Sequence, residues 1–260
     1  MSADQPRGAD RVVHVTIEHG IATVVLDSQH NRNALSRQLL GELHEALDAA
    51  EAADARAIVL TNAGPAFCAG ADLKERRSGP PDSTPMTSVL ERLMDTPAPT
   101  IAAVNGAVRA GGIGLMASCD LVVVAASTTF ALTEVRIGVA PAIISVPILR
   151  RVPAGRIAAA MLTGEPFDAP EARSMGLVTH VSDDVSATTS ALTDGILAGA
   201  PRAVAATKRL LHRVPTLDRA SAFAEMQALS EELFNGPDAA EGMAAFAEKR
   251  PPAWSNGRTR

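Results

Sequence analysis

Hydrophobic and polar positions alternate over two segments near the N-terminus, Val12 to Glu18 and Ile21 to Asp27, with His19 and Gly20 between them. Period-two alternation interrupted by a two-residue turn predicts a β-hairpin. After Ser36 the period lengthens: Leu39, Leu40, Leu43, Leu47 and Ala50 fall on one helical face, with Ser36 as the N-cap. A short apolar run, Ala55 to Thr61, reads as a strand, and the polar, proline-bearing stretch Arg76 to Thr87 reads as a loop. A helix over Val89 to Asp95 is stopped by Pro97 and Pro99, and a strand follows over Thr100 to Gly106. The pattern continues with a helix at Ile113 to Ser118, a strand at Asp120 to Ala125 and an extended piece at Phe130 to Val135. Gly138 to Pro141 breaks it. Helices then fit Ile143 to Val152, Ala154 to Leu162 and Pro170 to Met175, with a strand at Val178 to Val181. Strands and helices in alternation predict an α/β fold, a largely parallel sheet covered by helices. The last third is helical throughout: Ala187 to Ala198, Arg202 to His212, Ser221 to Phe234 and Pro237 to Phe246. The boundary near Gly199 to Pro201 separates an α/β core, residues 1–198, from a helical region, residues 199–260.

Composition narrows the function classes. With 260 residues and 47% hydrophobic content, a single core burying roughly 70 to 75% of the unfolded surface is expected. Acidic residues (29) slightly outnumber basic ones (24), without long like-charge blocks, and aromatics are only 3% with no tyrosine. Both facts argue against nucleic acid as a partner. The longest apolar run, Leu121 to Ala126, is far short of the ~20 residues that span a bilayer, and MSADQPRGAD carries no signal-like apolar stretch. A soluble cytoplasmic protein without a membrane partner is therefore expected. Cys68 and Cys119 read as small core residues in a reducing compartment. The histidines show no paired metal spacing, so no metal is expected. The nucleophile elbow G-x-S-x-G is absent, and Gly111 to Gly114 does not complete a dinucleotide fingerprint.

Two glycine-rich stretches carry the candidate chemistry: Phe67 to Glu75, FCAGADLKE, and Asn105 to Gly114, NGAVRAGGIG. Each follows an apolar strand-like run and leads toward a helix. Small residues at Ala69, Gly70, Ala71, Gly111 and Gly112 let the backbone approach a ligand, and free N–H groups at a helix start are anion donors. Either stretch alone is also explained as a tight strand-to-helix connection. Together they can form an oxyanion hole, where preorganised donors are worth roughly 3 to 4 kcal/mol each. Glu134 lies in the apolar stretch FALTEVRIGVAP, where an unpaired carboxylate is costly to desolvate and its proton becomes exchangeable near neutral pH. The alternative for Glu134 is a structural ion pair with Arg136 or Arg109. Lys74 and Lys249, read alone, are solvated charges.

With these residues in view, the chain resembles the crotonase superfamily, the enoyl-CoA hydratases and isomerases. The resemblance runs from Val12 to Trp254 through NRNAL at Asn31, FCAGADLKE, IAAVNGAVRAGG, CDLVVVA, the F-x-x-x-E ending at Glu134, LTGEPFDAPEARSMGLV and AFAEKRPPAW. It implies a crotonase (ClpP-like) spiral of ββα units with a C-terminal helical trimerisation region, self-associating as a homotrimer or a dimer of trimers. It implies that the amides of Ala71 and Gly111 hold the thioester oxygen of an acyl-CoA. Ala69, Asp72, Leu73 and Lys74 would line the coenzyme A site, with the carbonyls of Ala69 and Ala71 near the adenine. Arg32, and Lys249 from a neighbouring subunit, would meet the phosphates. Coenzyme A arrives as part of the substrate, so no separate cofactor is implied.

One departure bears on the reaction. Hydratases of this family carry a glutamate on the helix after the second turn and another 20 residues on, at the position of Glu134; here the first position is Gly114. The stretch VAPAIIS, Val139 to Ser145, also departs from the family's usual proline- and glycine-rich turn. The leading expectation is an enoyl-CoA hydratase, with Ala71 and Gly111 stabilising the enolate and Glu134 delivering the proton to C2. The competitors are a Δ3,Δ2-enoyl-CoA isomerase, which runs on Glu134 alone, and a non-catalytic acyl-CoA binder.

Overall fold

A computed structural model of the chain describes residues 11–75 and 82–255. The hairpin forms as expected from β1 (Val13–Glu18) and β2 (Ile21–Leu26), paired from Val13 opposite Leu26 to Glu18 opposite Ile21. His19 and Gly20 both take positive φ, 50° and 80°, as a two-residue turn matching the strand twist requires. The helix α1 (Arg37–Ala52) starts where the Ser36 hydroxyl accepts from the Leu39 N–H at 3.1 Å, and it buries the leucine face read from the sequence.

The body of the chain is a repeat of two strands and a helix. β3 (Ala57–Asn62), β4 (Ala66–Cys68) and α2 (Thr84–Asp95) form one unit. β5 (Thr100–Val104), β6 (Ala107–Arg109) and α3 (Gly111–Ala117) form the next. β7 (Leu121–Ala125), β8 (Thr129–Ala131), a 3-10 turn over Thr133–Ile137 and α4 (Ala142–Arg151) form the third. The first strand of each unit enters a six-stranded sheet ordered β1-β2-β3-β5-β7-β10, and the second enters a four-stranded sheet ordered β4-β6-β8-β9. The bends between the two sheets need special backbone. At Gly106 (φ 121°) a Cβ would lie 2.2 Å from the Pro65 carbonyl oxygen, so only glycine fits where one unit crosses the next.

The remaining elements are α5 (Ala154–Thr163), β9 (Phe167–Asp168), α6 (Ala169–Met175), β10 (His180–Ser182), α7 (Val185–Ala198), α8 (Pro201–Arg213), α9 (Arg219–Phe234) and α10 (Pro237–Glu248). The main core lies between the sheets and α1, α2 and α3, with Phe67, Phe130 and Leu43 fully enclosed. Phe130 stacks on Phe167 of β9, ring centroids 5.3 Å apart.

Three sequence expectations are corrected. α2 begins at Thr84, inside the stretch read as loop, because Pro85 sits in the helix's first turn, where its missing N–H costs nothing; residues 76–81 of that stretch lie outside the described residues. Phe130 to Val135 is not one extended piece: β8 ends at Ala131 and the chain coils into the 3-10 turn. The first glycine-rich stretch does not follow β3 directly but begins inside β4, the second follows β5 at once but holds the three-residue strand β6 before α3, and residues 69–75 start no α-helix.

Candidate active site

The three segments singled out in the sequence emerge from three neighbouring strands of the smaller sheet. β4, β6 and β8 are parallel, with Cys68 opposite Val108, Val108 opposite Phe130 and Arg109 opposite Ala131. Their carboxyl ends lead into the Ala69–Glu75 turn, the start of α3 and the turn carrying Glu134. Ligands of α/β proteins bind beyond the carboxyl ends of parallel strands, and here the residue pattern places its candidate groups at that edge.

The two glycine-rich turns are packed backbone to backbone. A Cβ on Gly112 would lie 2.6 Å from the Cys68 Cβ, one on Gly70 would lie 3.0 Å from the Ala110 Cβ, and one on Gly111 would lie 4.0 Å from the Ala71 nitrogen. These contacts set residues 68, 70 and 71 beside 112, 110 and 111, so the Ala71 and Gly111 amides belong to one small volume. Neither amide donates a hydrogen bond among the described residues. Gly111 is the first residue of α3, where no intrahelical acceptor exists. Ala71 bridges Leu35, but the bonds there run from the Leu35 N–H to the Gly70 carbonyl at 2.8 Å and from the Asp72 N–H to the Leu35 carbonyl at 3.5 Å. The Ala71 N–H is left over.

Backbone strain sets the entry to α3. Ala110 has φ 48° and ψ −118°, a region that costs a non-glycine residue about 1 to 3 kcal/mol and persists only where the surroundings hold it. Its N–H is held by the Ala131 carbonyl at 2.9 Å and its carbonyl by the Ile113 N–H at 2.9 Å. The same Ala131 leads, three residues on, to Glu134.

Glu134 is half-buried, and its Oε2 is enclosed without a hydrogen-bond partner among the described residues. Burial pushes its carboxyl above the usual carboxylate range, against a smaller opposing effect of its own backbone N–H. The alternative ion pairs are not made. Arg136 binds Glu165 at 2.5 Å and the Thr163 carbonyl, while Arg109 binds the carbonyls of Val108 and Thr129 and the Thr129 hydroxyl. An unpaired carboxyl in a partly dry site is suited to taking and returning a proton.

The remaining predicted residues divide. Asp72 is used inside its own turn: its Oδ1 accepts from the N–H groups of Lys74 and Glu75, and Oδ2 from the Asn31 amide. Arg32 and Ala69 are joined by the bond from the Ala69 N–H to the Arg32 carbonyl at 3.0 Å, with both residues exposed. Leu73 and Lys74 are exposed on the same turn. Lys249 caps α10, which packs on α9, in the helical region. Two hollows, about 690 Å³ between α8 and α9 and about 420 Å³ beside Arg56, have none of these residues in their walls.

NRNAL enters the sequence pattern only through the resemblance, yet Asn33 anchors the segment that leads into β4. It is fully buried with φ 56°, accepts from the Ser28 N–H at 2.6 Å, and donates to the carbonyls of Ala63 and Ala66. An asparagine followed by Ala34 and Leu35 just before the Ser36 helix cap was the available signal, since asparagine tolerates the left-handed region.

Known proteins are similar to this chain in sequence and fold. The family described as enoyl-CoA hydratase/isomerase matches residues 16–257. A relative from Thermus thermophilus is 36% identical over 92% of this chain and 99% of its own length. The enoyl-CoA hydratase EchA19 of Mycobacterium tuberculosis is 34% identical over 90% of this chain and 92% of its own. A crystal structure of an enoyl-CoA hydratase of Mycobacterium smegmatis superposes with a TM-score of 0.88 at 34% identity, covering 94% of this chain and 98% of that one. The fold and the two turns define a crotonase-type α/β protein. The chain belongs to the enoyl-CoA hydratase/isomerase family.

Proposed function

We propose that the protein binds an acyl-CoA thioester and moves a proton at its C2 carbon, with Glu134 as the sole acid/base. In this reading the amides of Ala71 and Gly111 hold the thioester oxygen. The Glu134 carboxylate takes a proton from C2 of a 3-enoyl-CoA, and the C–H electron pair moves into a dienolate whose negative charge sits on that oxygen. The protonated Glu134 returns the proton to C4 as the double bond settles between C2 and C3. Atoms and charge balance without water. Coenzyme A would lie along Ala69, Asp72, Leu73 and Lys74, with Arg32 and a second copy's Lys249 toward the phosphates.

The observation that carries the reading is the unpartnered Glu134 Oε2 at the same sheet edge as two unspent amides, with glycine at position 114. Isomerisation needs one acid/base group and loses nothing there. Hydration is the second reading, favoured by the enoyl-CoA hydratase names of several relatives. It requires that Glu134 alone activate water as well as protonate C2.

Incubating the protein with a 3-enoyl-CoA in heavy water tests the first reading. A shifted double bond with deuterium at C2 or C4 is expected, and neither shift nor exchange would remove it. Loss of the conjugated thioester absorbance of crotonyl-CoA reports hydration. Glu134→Gln separates both from a non-catalytic binder: it should abolish the rate and leave acyl-CoA binding intact, whereas a pure binder has no rate to lose.

A further inference from the structure

Gly114 stands on α3 at the position where the resemblance places a second acid, and α4 packs directly against it. A Cβ on residue 114 would lie 2.3 Å from the Ile144 Cγ2, 2.6 Å from its Cβ and 3.3 Å from its Cα. Cβ atoms do not approach that closely, so any side chain at 114 must displace α4 or α3. The contact involves the backbone as well as the side-chain tip, and Ile144 has no room to swing away, being 95% buried with 5% of its surface exposed.

Both helices are fixed against yielding. The Gly114 carbonyl accepts from the Ser118 N–H and from the Ser118 hydroxyl, each at 3.0 Å, which pins the C-terminal turn of α3. At the far end of α4, Arg151 donates to the carbonyls of Cys119 and Asp120, immediately after α3. At the near end, the Val139 N–H binds the Glu134 carbonyl at 3.1 Å, so α4 is a strap running from the Glu134 turn to the end of α3.

From this packing we infer that Ile144 is a specificity-determining residue: seated on Gly114, it fills the volume of a second acid and holds the Glu134 strap against α3, committing the site to one-acid chemistry. Position 114 is thus not an acid simply deleted. A glycine there is what lets α4 dock, and restoring glutamate alone cannot restore a two-acid site. This inference rests on the reading of Glu134 as sole acid/base, and it concerns which reactions the site can be given.

The test is a double-mutant cycle on the full chain, with Gly114→Ala and Ile144→Gly, followed by Gly114→Glu with and without Ile144→Gly. Overpacking by one methyl group at a clamped contact is expected to lower Tm by roughly 5 to 10 °C in Gly114→Ala. The cycle should show strong favourable coupling, the pair losing less Tm than the two single changes summed. Additive losses would overturn the seat. For the reaction, Gly114→Glu alone should unfold at lower temperature and hydrate crotonyl-CoA no faster than wild type. Gly114→Glu with Ile144→Gly should recover part of the Tm and hydrate at least tenfold faster than either single variant. A Gly114→Glu protein that keeps its Tm and gains hydration, or a folded pair that gains none, would overturn the assignment. Should wild type itself hydrate well and fail to exchange protons, the one-acid isomerase reading fails, while the Tm cycle still decides the packing.

Discussion

Two regions of this chain solve the burial problem in different ways. In the spiral of ββα units, α1 buries six side chains along one face and β5 is buried at every position. In the helical region, α9 runs for 16 residues without one buried residue and α10 buries only Ala245. Phe223, Phe234 and Phe246 stand 73%, 69% and 87% exposed. Polar helices commonly face water on one side; large aromatic side chains left in water on two successive helices do not explain themselves within one chain. The core folds around its own side chains, whereas α9 and α10 present apolar surface outward. We propose that other copies of the chain cover it, as a trimer or dimer of trimers. In that proposed arrangement Lys249 of one copy would meet the proposed coenzyme A site of another.

The two regions meet at a buried charge. Lys208 of α8 and Asp120 are 4% and 8% exposed and 2.9 Å apart, and the ammonium also donates to the carbonyls of Leu93 and Ala98. The largest expected effect on stability breaks that joint: Lys208→Met removes the buried cation from Asp120, leaving its carboxylate to the Thr100 N–H and hydroxyl and to His212 at 3.5 Å, and should cost about 3 to 5 kcal/mol, read by denaturant unfolding. Within the core, Leu43→Ala removes a fully enclosed side chain and should cost about 2 to 5 kcal/mol by the same measurement. In the helical region, Phe234→Ser and Phe246→Ser should change the stability of a single chain by no more than about 0.5 kcal/mol. They should nevertheless shift the mass measured by light scattering toward the monomer. A fully monomeric wild-type protein would break the comparison at its outer half.

The smallest effect is electrostatic and belongs to Glu134. Its pKa is raised on folding, so the folded state holds that proton more tightly than the unfolded one. Wild type should therefore be at its most favourable, relative to Glu134→Gln, below the ordinary carboxylate range. It should lose ground as pH rises through the raised folded value. The variant is then the more stable protein at neutral pH. The proposed isomerisation, which would start from the carboxylate, should rise over the same window, giving an acidic limb displaced upward from the ordinary carboxylate range.

Much of this arrangement was legible before any coordinates. The leucine face of α1, the Ser36 cap and the His19–Gly20 turn follow from periodicity and turn chemistry, and the two glycine-rich stretches and Glu134 singled out for their chemistry emerge at one sheet edge. What stayed hidden has physical reasons. β4 and β6 are three residues long, too short for alternation to register, and their pairing depends on partners far along the chain. Pro85 looked like a breaker because its neighbours are polar, although the first helical turn accepts proline. Asp72 was read only as a ligand contact, and the bonds by which its carboxylate ties its own turn together depend on a loop geometry that periodicity does not report. The role of Ile144 lay outside any local pattern, because it arises where two helices close on a residue with no side chain.

Cys68 touches the Gly112 contact, and Cys119 supplies a carbonyl to the Arg151 clamp; both thiols are buried and free, with pKa pushed up to about 12. Native protein should therefore resist alkylating reagents, because a protonated, enclosed sulfur is a poor nucleophile. Each sulfur becomes a clock for a different breathing motion, Cys68 for parting of the two glycine turns and Cys119 for release of α4.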